Sequence, residues 1–490
     1  MDEKNKFLNN LNLNDENTIR IWSGFYDLTQ IPRPSKNEKK VADYLEKFAN
    51  EKTITVERDK YNNILLRLPS NNPQIKGVLL QGHSDMVCVK GSERDPSVEG
   101  VSPVIDETGE WVKAQNTSLG ADNGIGVAAL LSLLEDKEFV HGPLGILITT
   151  DEETGLNGAK NLKFDLSKYK YLINCDSEDW GEATIGCAGG EDVIITLNTK
   201  MEAVKETAIK ISVSGLKGGH SALAIAEVGR ANAIKLLAGV ISDLVEQADV
   251  HLVSFNGGTA RNVIPSEAEA VITFGGFTEV DSENHFSSII KKTIQEYDNE
   301  ENIAIEISKT QDVDRGCSII DTEKILDMIN DLPHGVIKWV GLKEEKPQTS
   351  TNLAMIRTSG TSLEIVSMNR SSFEKESDEV AKMQSNIAFK HGARLLREGK
   401  YPAWEPDYES KIVKHAQKIF RDIWQEELLI EQTHGGLECG IIKNTYPNII
   451  EAISLGPTIT GAHSINERVN ISSVEKFYTY LKALIRDLQD

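Results

Sequence analysis

Gly77-Val78-Leu79-Leu80-Gln81-Gly82-His83-Ser84-Asp85-Met86 is an apolar, strand-length run that ends in a histidine and a carboxylate two residues apart. The pattern predicts a buried strand over 77–81, with His83 at its carboxyl edge, where open α/β sheets place their sites. In extended backbone, residues two apart point the same way. Asp85 can then accept an imidazole N–H and leave the other ring nitrogen of His83 free for a metal. Taken alone, the pair also reads as a turn histidine beside a turn aspartate.

Outward from this run, strands and helices alternate. Helical spacing of Val41, Tyr44, Leu45 and Phe48 marks 37–49, and short apolar strands are expected at 63–68, 144–149 and 171–174. An apolar helix is expected over 125–134 and a short one over 158–162. This alternation predicts an α/β sheet covered on both faces. Near Gly189 the texture changes. Strands are expected at 209–213, 251–255, 268–274, 303–307 and 361–368, with helices at 224–248, 285–298 and 376–398. From Tyr401 the α/β pattern returns, with helices at 411–424 and 474–488 and a strand at 449–454. The expectation is therefore an α/β domain with a central mixed sheet, discontinuous over 1–190 and 400–490, interrupted by an α+β domain over 191–399.

Composition narrows the function classes. The chain has 490 residues, 39% hydrophobic and 26% charged, which is ordinary for a globular protein. Its net charge of −22 argues against nucleic acid or anionic membrane as the main partner, since both are polyanions. No apolar run is long enough for a transmembrane helix, and the first ten residues lack a secretory h-region. Five scattered cysteines without a CxxC pair read as reduced thiols of a cytoplasmic protein.

Four further stretches concentrate chemistry at expected strand or helix ends. Gly120-Ala121-Asp122-Asn123-Gly124-Ile125-Gly126 offers Asp122, either as a helix N-cap or as a carboxylate able to bridge two cations. It matches neither the Walker pattern nor GxGxxG. Thr149-Thr150-Asp151-Glu152-Glu153-Thr154-Gly155 places adjacent glutamates after a buried strand, where one can bind metal while the other handles protons. Asn174-Cys175-Asp176 ends another strand, and Gly461-Ala462-His463-Ser464 supplies a distant histidine. Mixed nitrogen and oxygen ligands suit Zn²⁺, Co²⁺ or Mn²⁺. His83, Asp122, Glu153, Asp176 and His463 are more than one tetrahedral ion uses. A pair of ions sharing a bridging carboxylate would use them all.

The five motifs, in this order, resemble those of the M20 family metallopeptidases, most closely their Xaa-His dipeptidase branch, over nearly the whole chain. The resemblance implies a two-metal catalytic domain with a lid domain at the insertion. It implies that His83, Asp122 and Asp176 bind one metal and Glu153, His463 and Asp122 the other. Asp85 would orient His83, and Glu152 would be the general base that activates water. In the insertion, His220 of Gly218-Gly219-His220-Ser221 would contact substrate or oxyanion. Asn262 would bind substrate, and Arg370 would grip its free carboxylate. The loop from Gly435 to Gly440, including Glu438, would line the substrate site.

Departures from the family pattern are Ala222 for Gly, Gly435 for Ala and Ile465-Asn466 for Pro-Asp. None touches an expected ligand. The function so implied is hydrolysis of unblocked dipeptides, Xaa-His substrates such as carnosine included, by a cytoplasmic enzyme carrying two divalent ions. Zinc is the first expectation for those ions, and a homodimer is expected at the family level. Competing readings are an N-acyl-amino-acid deacylase or tripeptidase on the same centre, or a non-catalytic metal-binding scaffold. A serine hydrolase is disfavoured by the missing Gly-x-Ser-x-Gly elbow, and a dinucleotide enzyme by the missing fingerprint.

Overall fold

The computed structural model describes residues 2–489, apart from 69, 71–76, 137–138, 205–207, 276–278, 298, 312 and 342–345; for 279–286 it describes the backbone alone. The chain divides into two compact units. The first comprises Met1–Gly186, Trp404–Thr433 and Leu437–Asp490, and the second Cys187–Ala403 with His434–Gly436.

The first unit is built on an eight-stranded mixed sheet. Its order is Thr55–Arg58, Ile64–Leu68, Leu144–Thr149, Gly77–His83, Tyr169–Asn174, Glu451–Ser454, Glu182–Cys187 and Leu429–Thr433. The strands at 144–149, 77–83, 169–174 and 451–454 run parallel. Every residue of Leu144–Thr149 and Gly77–His83 is buried. A strand covered on both faces has no solvent side to alternate against, hence its unbroken apolar sequence. Register sets His83 opposite Thr149, Gln81 opposite Asn174, and Ser454 opposite Asn174. The segments that follow these strands therefore leave from one edge of the sheet.

Helices pack the sheet into one core. The helix Glu16–Thr29 begins at Asp15, whose carboxylate accepts the Thr18 N–H at 2.7 Å, and it buries Ile21, Trp22, Phe25 and Leu28 along one stripe. The helix Ala121–Leu133 is buried along almost its whole length. It comes so close to the sheet that a Cβ on Gly82 would stand 2.3 Å from Asn123 Oδ1. A second, four-stranded sheet joins Ile459–Thr460, Arg468–Asn470, Trp111–Ala114 and Pro103–Ile105, so both ends of the chain contribute to it. The turn between its first two strands carries His463.

The second unit is built on a nine-stranded antiparallel sheet. Its path is Ala304–Lys309, Ala208–Ser214, Ala268–Gly275, Asp249–Gly257, Pro347–Ser359, Ser362–Ser371, Gly189–Asn198 and Arg394–Tyr401, with Gly335–Trp339 paired to 347–359. The helices Ala233–Val245 and Ile319–Asp331 pack against each other, and both contribute to a separate hydrophobic core.

The chain thus forms the expected α/β class with a central mixed sheet, with several local corrections. The helix expected over 224–248 is a single 3₁₀ turn, Ala224–Ala226, followed after a break by Ala233–Val245. Gly229, at φ 76°, interrupts the run, and Asn232 restarts it by accepting the Ile234 N–H at 3.0 Å. The helix expected over 376–398 is Glu374–Lys390. Gly392, at φ 76°, turns the chain, and Arg394–Tyr401 pairs with Gly189–Asn198 as a strand. The short helix expected over 158–162 is one turn, Asn157–Lys160. The helix expected over 285–298 runs Glu279–Glu296, and Asp298 lies outside the described residues. None of the five cysteines forms a disulfide. No helix among the described residues is long and apolar enough to cross a membrane.

Candidate metal centre

His83 ends its strand fully buried, with Nε2 3.0 Å from Asp122 Oδ1 and 3.1 Å from Asp176 Oδ1. Its Nδ1 faces Asp85, 3.2 Å from the backbone oxygen and 3.5 Å from Oδ1. On the far side of Asp122, Oδ2 lies 3.1 Å from His463 Nε2, which is also 2.8 Å from Glu153 Oε2. Asp122 therefore stands between the two histidines, one carboxylate oxygen toward each. The His463 side chain is half exposed, whereas Glu153 and Asp176 are buried.

Local backbone explains how these groups meet. Asp122 sits in the first turn of the helix Ala121–Leu133, at a non-helical φ of −76° and ψ of 115°. Asn123 then donates its side-chain N–H to the Cys175 carbonyl at 2.5 Å, fixing the helix start beside the Asp176 segment. The Glu152–Glu153 segment is held from behind. Asp85 Oδ1 accepts the Glu152 N–H at 3.1 Å, and its Oδ2 accepts the Ser35 hydroxyl at 2.8 Å and the Glu153 N–H at 3.3 Å. Glu38 accepts the Asp151 N–H at 2.9 Å. Glu38, Asp85 and Asp151 form a second acidic group. Several of its oxygens take hydrogen bonds: Glu38 Oε1 also accepts the Lys36 N–H at 2.7 Å, and Asp151 Oδ2 accepts Asn157 Nδ2 at 2.7 Å.

Beneath the site, polar side chains run across the carboxyl edge of the sheet. Asn174 donates to Gln81 Oε1 at 2.6 Å, and Gln81 Nε2 donates to Glu438 Oε2 at 2.6 Å. The Thr149 hydroxyl donates to the same Glu438 oxygen at 2.6 Å. Ser454 bonds Asn174 Oδ1, and the Ser177 and Ser454 hydroxyls are 2.8 Å apart. These mutual hydrogen bonds offset part of the cost of burying the groups.

The electrostatics are those of too many carboxylates in too little water. Desolvation raises Glu152 well above the ordinary carboxylate range; His83 opposes this, and Asp176, Glu438 and Glu153 add to it. Desolvation likewise lifts Asp176 to about 6 and Glu438 to about 8, in each case against the pull of His83. Burial alone would lower His83, but Asp176, Asp122 and Asp85 outweigh it and raise its pKa. Hydrogen bonds donated to Asp122 and Glu153 raise His463 to about 11. Desolvation works against ionisation of Asp122, and contacts with His463 and His83 overcome it and hold its pKa down.

Two imidazoles thus face the carboxylates of Asp85, Asp122, Glu152, Glu153 and Asp176. His83, Asp122 and Glu153 each offer a ligand atom, and these atoms lie within 4.8 Å of one another. Glu153 Oε1 and Glu438 Oε1 are buried with no hydrogen-bond partner among the described residues. Excess buried negative charge, an orphaned oxygen at the cluster and a mixed nitrogen and oxygen donor set all fit divalent cations of the Zn²⁺, Co²⁺ or Mn²⁺ kind.

The other residues expected at a substrate site are placed as follows. Glu438 belongs to the first unit, at the start of the helix Glu438–Thr445. His220, Asn262, Arg370 and Gly435 belong to the second. There His220 is exposed and bridges Val263, while the Ser221 N–H donates to the Asn262 carbonyl at 2.8 Å. Arg370 is buried, its Nη1 donating to the Tyr401 hydroxyl at 3.0 Å and its Nε to Ser221 Oγ at 3.4 Å. His434, next to Gly435, bonds Ser350 Oγ at 2.7 Å, and Ser350 pairs with Arg370 across the sheet. Three residues near the cluster were missed in the sequence: Arg33, Glu38 and Glu467. A charged residue between Pro32 and Pro34, and a glutamate four places after His463, were the available signals.

Residues 79–487 match the family described as peptidase family M20/M25/M40. The cytosol non-specific dipeptidase of Escherichia coli K12 is 37% identical over 479 residues, 96% of this chain and 97% of that protein. The crystal structure of aminoacylhistidine dipeptidase from Vibrio alginolyticus aligns with a TM-score of 0.83 at 34% identity, covering 96% of each chain. Aminopeptidase PepT from Bacillus cereus aligns at 0.56 with 17% identity, over 96% of this chain and 99% of that one, a likeness of fold.

Proposed function

The chain belongs to peptidase family M20/M25/M40, and from that premise we propose that it is a metal-dependent dipeptidase of the cytoplasm that hydrolyses unblocked dipeptides, Xaa-His substrates among them. The observation that carries the reading is the Asp122 carboxylate set between His83 and His463, at 3.0 and 3.1 Å. His83, Asp122 and Asp176 would hold one divalent ion, and Asp122, Glu153 and His463 a second, zinc being the first choice and cobalt or manganese the others. Bound there, such ions lower the pKa of water and polarise a scissile carbonyl.

The chain's own groups do the rest. Asp85 orients His83 through Nδ1 and anchors the Glu152–Glu153 segment. Glu152 accepts a proton from the attacking water and delivers it to the leaving amine nitrogen. Its desolvated carboxyl, raised by Asp176, Glu438 and Glu153, is suited to holding that proton between the two transfers. Arg370 receives the substrate carboxylate, a role that suits a fixed guanidinium fork, and His220, Asn262 and Gly435 supply further contacts. Glu438 lines the substrate site.

The test is a hydrolysis panel on the purified protein with added Zn²⁺, Co²⁺ or Mn²⁺. It compares Xaa-His and other dipeptides, tripeptides and N-acetylated amino acids. Dipeptides with a free amino terminus should give the highest kcat/KM. Preference for tripeptides or for N-acetylated amino acids would replace this reading with a tripeptidase or a deacylase.

A further inference from the structure

Glu467 is 2% exposed, and its carboxylate makes four hydrogen bonds to consecutive backbone amides. Oε2 accepts the N–H groups of Leu119 at 2.7 Å and Gly120 at 2.9 Å; Oε1 accepts those of Ala121 at 2.7 Å and Asp122 at 3.2 Å. On the opposite side of the same peptide, Arg33 is 1% exposed and donates Nη2 to the Gly120 carbonyl at 2.5 Å. Its Nη1 reaches the Ser84 carbonyl at 2.9 Å and the Asp85 carbonyl at 3.0 Å. Gly120, at φ 73°, is held between a buried carboxylate and a buried guanidinium, and a Cβ there would lie 2.5 Å from Arg33 Nη2.

Capping alone does not account for this arrangement. The exposed N–H groups of a first helical turn are ordinarily satisfied by a local Ser, Thr, Asp or Asn. Here the N-cap position is Gly120, which offers no side chain, and the acceptor comes from the turn that carries His463. Burying a carboxylate is costly, and it is tolerated only with hydrogen bonds and a countercharge. The result is a continuous chain of three contacts: 83–85 to Arg33, Arg33 to Gly120, and 119–122 to Glu467. Of the stretches it joins, 83–85, 119–122 and the turn 461–467 each hold one member of the His83, Asp122, His463 row.

We propose that Glu467 is a positioning residue for the metal centre, tying the His463 turn to the Asp122 segment so that one Asp122 oxygen faces each histidine, with Arg33 extending the same tie to His83. The proposal rests on the metal-centre reading above. Groups that orient ligands from behind typically change metal affinity by about 10- to 100-fold when altered. A glutamine at 467 retains one accepting oxygen and turns an NH₂ group toward backbone donors, so it cannot hold four amides.

The experiment is Co²⁺ titration with a competing chelator, read together with the visible absorption of bound Co²⁺, on wild type, Glu467→Gln and a control. The control is Glu475→Gln on the exposed side of the helix Ile471–Gln489. Folding of each variant is checked by cooperative thermal unfolding. Folded Glu467→Gln should bind Co²⁺ about 10- to 100-fold more weakly, with an altered absorption band, while the control matches wild type. A purely structural role would lower the melting temperature and leave both affinity and spectrum of the folded protein unchanged; that result overturns the proposal. If Glu467→Gln does not fold, Glu467→Asp, which keeps the charge and shortens the reach, carries the same two readouts with the same meaning. A wild-type protein that binds no Co²⁺ overturns the metal-centre reading and this proposal with it, a failure visible before any variant is compared.

Discussion

Asp85 accepts the backbone N–H of Glu152 at 3.1 Å. A residue that lies beside His83 thus also fixes the segment that bears the proposed base. One carboxylate links the orientation of an imidazole to the position of a glutamate, which makes it a sensitive point in the site.

Replacing Asp85 with alanine removes both functions. Turnover of a dipeptide should fall by about 10- to 100-fold, accompanied by weaker metal retention. Asparagine keeps the volume but has only one accepting oxygen for the Ser35, Glu152 and Glu153 donors, so it should lose activity as well, to a smaller extent. Steady-state kinetics with metal content measured in parallel checks this, and wild-type kcat in Asp85→Ala contradicts it.

Glu152→Gln should leave metal content and melting temperature close to wild type. Its kcat should fall about 10²- to 10⁴-fold, the usual contribution of a positioned proton carrier. KM should change little, since Glu152 is asked to move a proton and not to grip the substrate. Near-normal turnover would assign the base to another group.

Removing metal with a chelator should abolish hydrolysis and lower the melting temperature, and returning Zn²⁺, Co²⁺ or Mn²⁺ should restore both. Five carboxylates and two imidazoles crowd this site, and binding that favours the folded state stabilises it by about 2.7 kcal/mol at a free ion concentration 100 times the dissociation constant. Calorimetric melting with and without added ion measures the difference. An unchanged melting temperature would mean that no ion binds the folded chain preferentially.

His434, in the second unit, gives a pH prediction. Burial, with Arg370 adding to it, lowers this histidine to about 3, so the folded chain keeps it neutral. An unfolded chain takes up the proton near pH 6.5. Because the folded pKa is depressed, the stabilisation is complete above about pH 6.5 and is lost progressively as pH falls toward 3. The slope from this residue is about 1.4 kcal/mol per pH unit inside that window. His434→Gln can retain the bond to Ser350 and should flatten the slope. Urea unfolding at pH 7, 6 and 5 measures it, and equal slopes in the two proteins refute the assignment.

What the sequence disclosed follows from where burial leaves a hydropathic trace. Strands covered on both faces, such as Gly77–His83 and Leu144–Thr149, read as plain apolar runs. Pro347–Ser359 was not legible, because its buried positions include Thr349, Ser350, Thr351 and Asn352. Those side chains are satisfied by polar partners: Thr349 Oγ1 lies 2.8 Å from Ser371 Oγ, and Gln384 donates to Thr351 at 3.1 Å. Arg394–Tyr401 was hidden for another reason. Its residues continue a helical rhythm, and only the left-handed turn at Gly392 and the pairing with Gly189–Asn198 make it a strand.

In the site, short motifs at strand ends drew attention to residues that lie close together, from His83 to His463. Arg33 and Glu467 leave only a weak local signal, because their partners are backbone groups far away in sequence. That His83, Asp122 and His463 would meet is what the family resemblance implies, and the structure sets Asp122 3.0 Å from His83 and 3.1 Å from His463. Function is what the variants above decide.

The strand Glu451–Ser454 lies between Tyr169–Asn174 and Glu182–Cys187. During synthesis it emerges from the ribosome long after both neighbours, and after all of the second unit. Until then those neighbours wait with unpaired edges, the condition that invites mispairing and chaperone capture. His463 emerges later still. A polypeptide released early therefore lacks the histidine on the far side of Asp122, and the cluster is assembled only by a chain translated almost to its last helix.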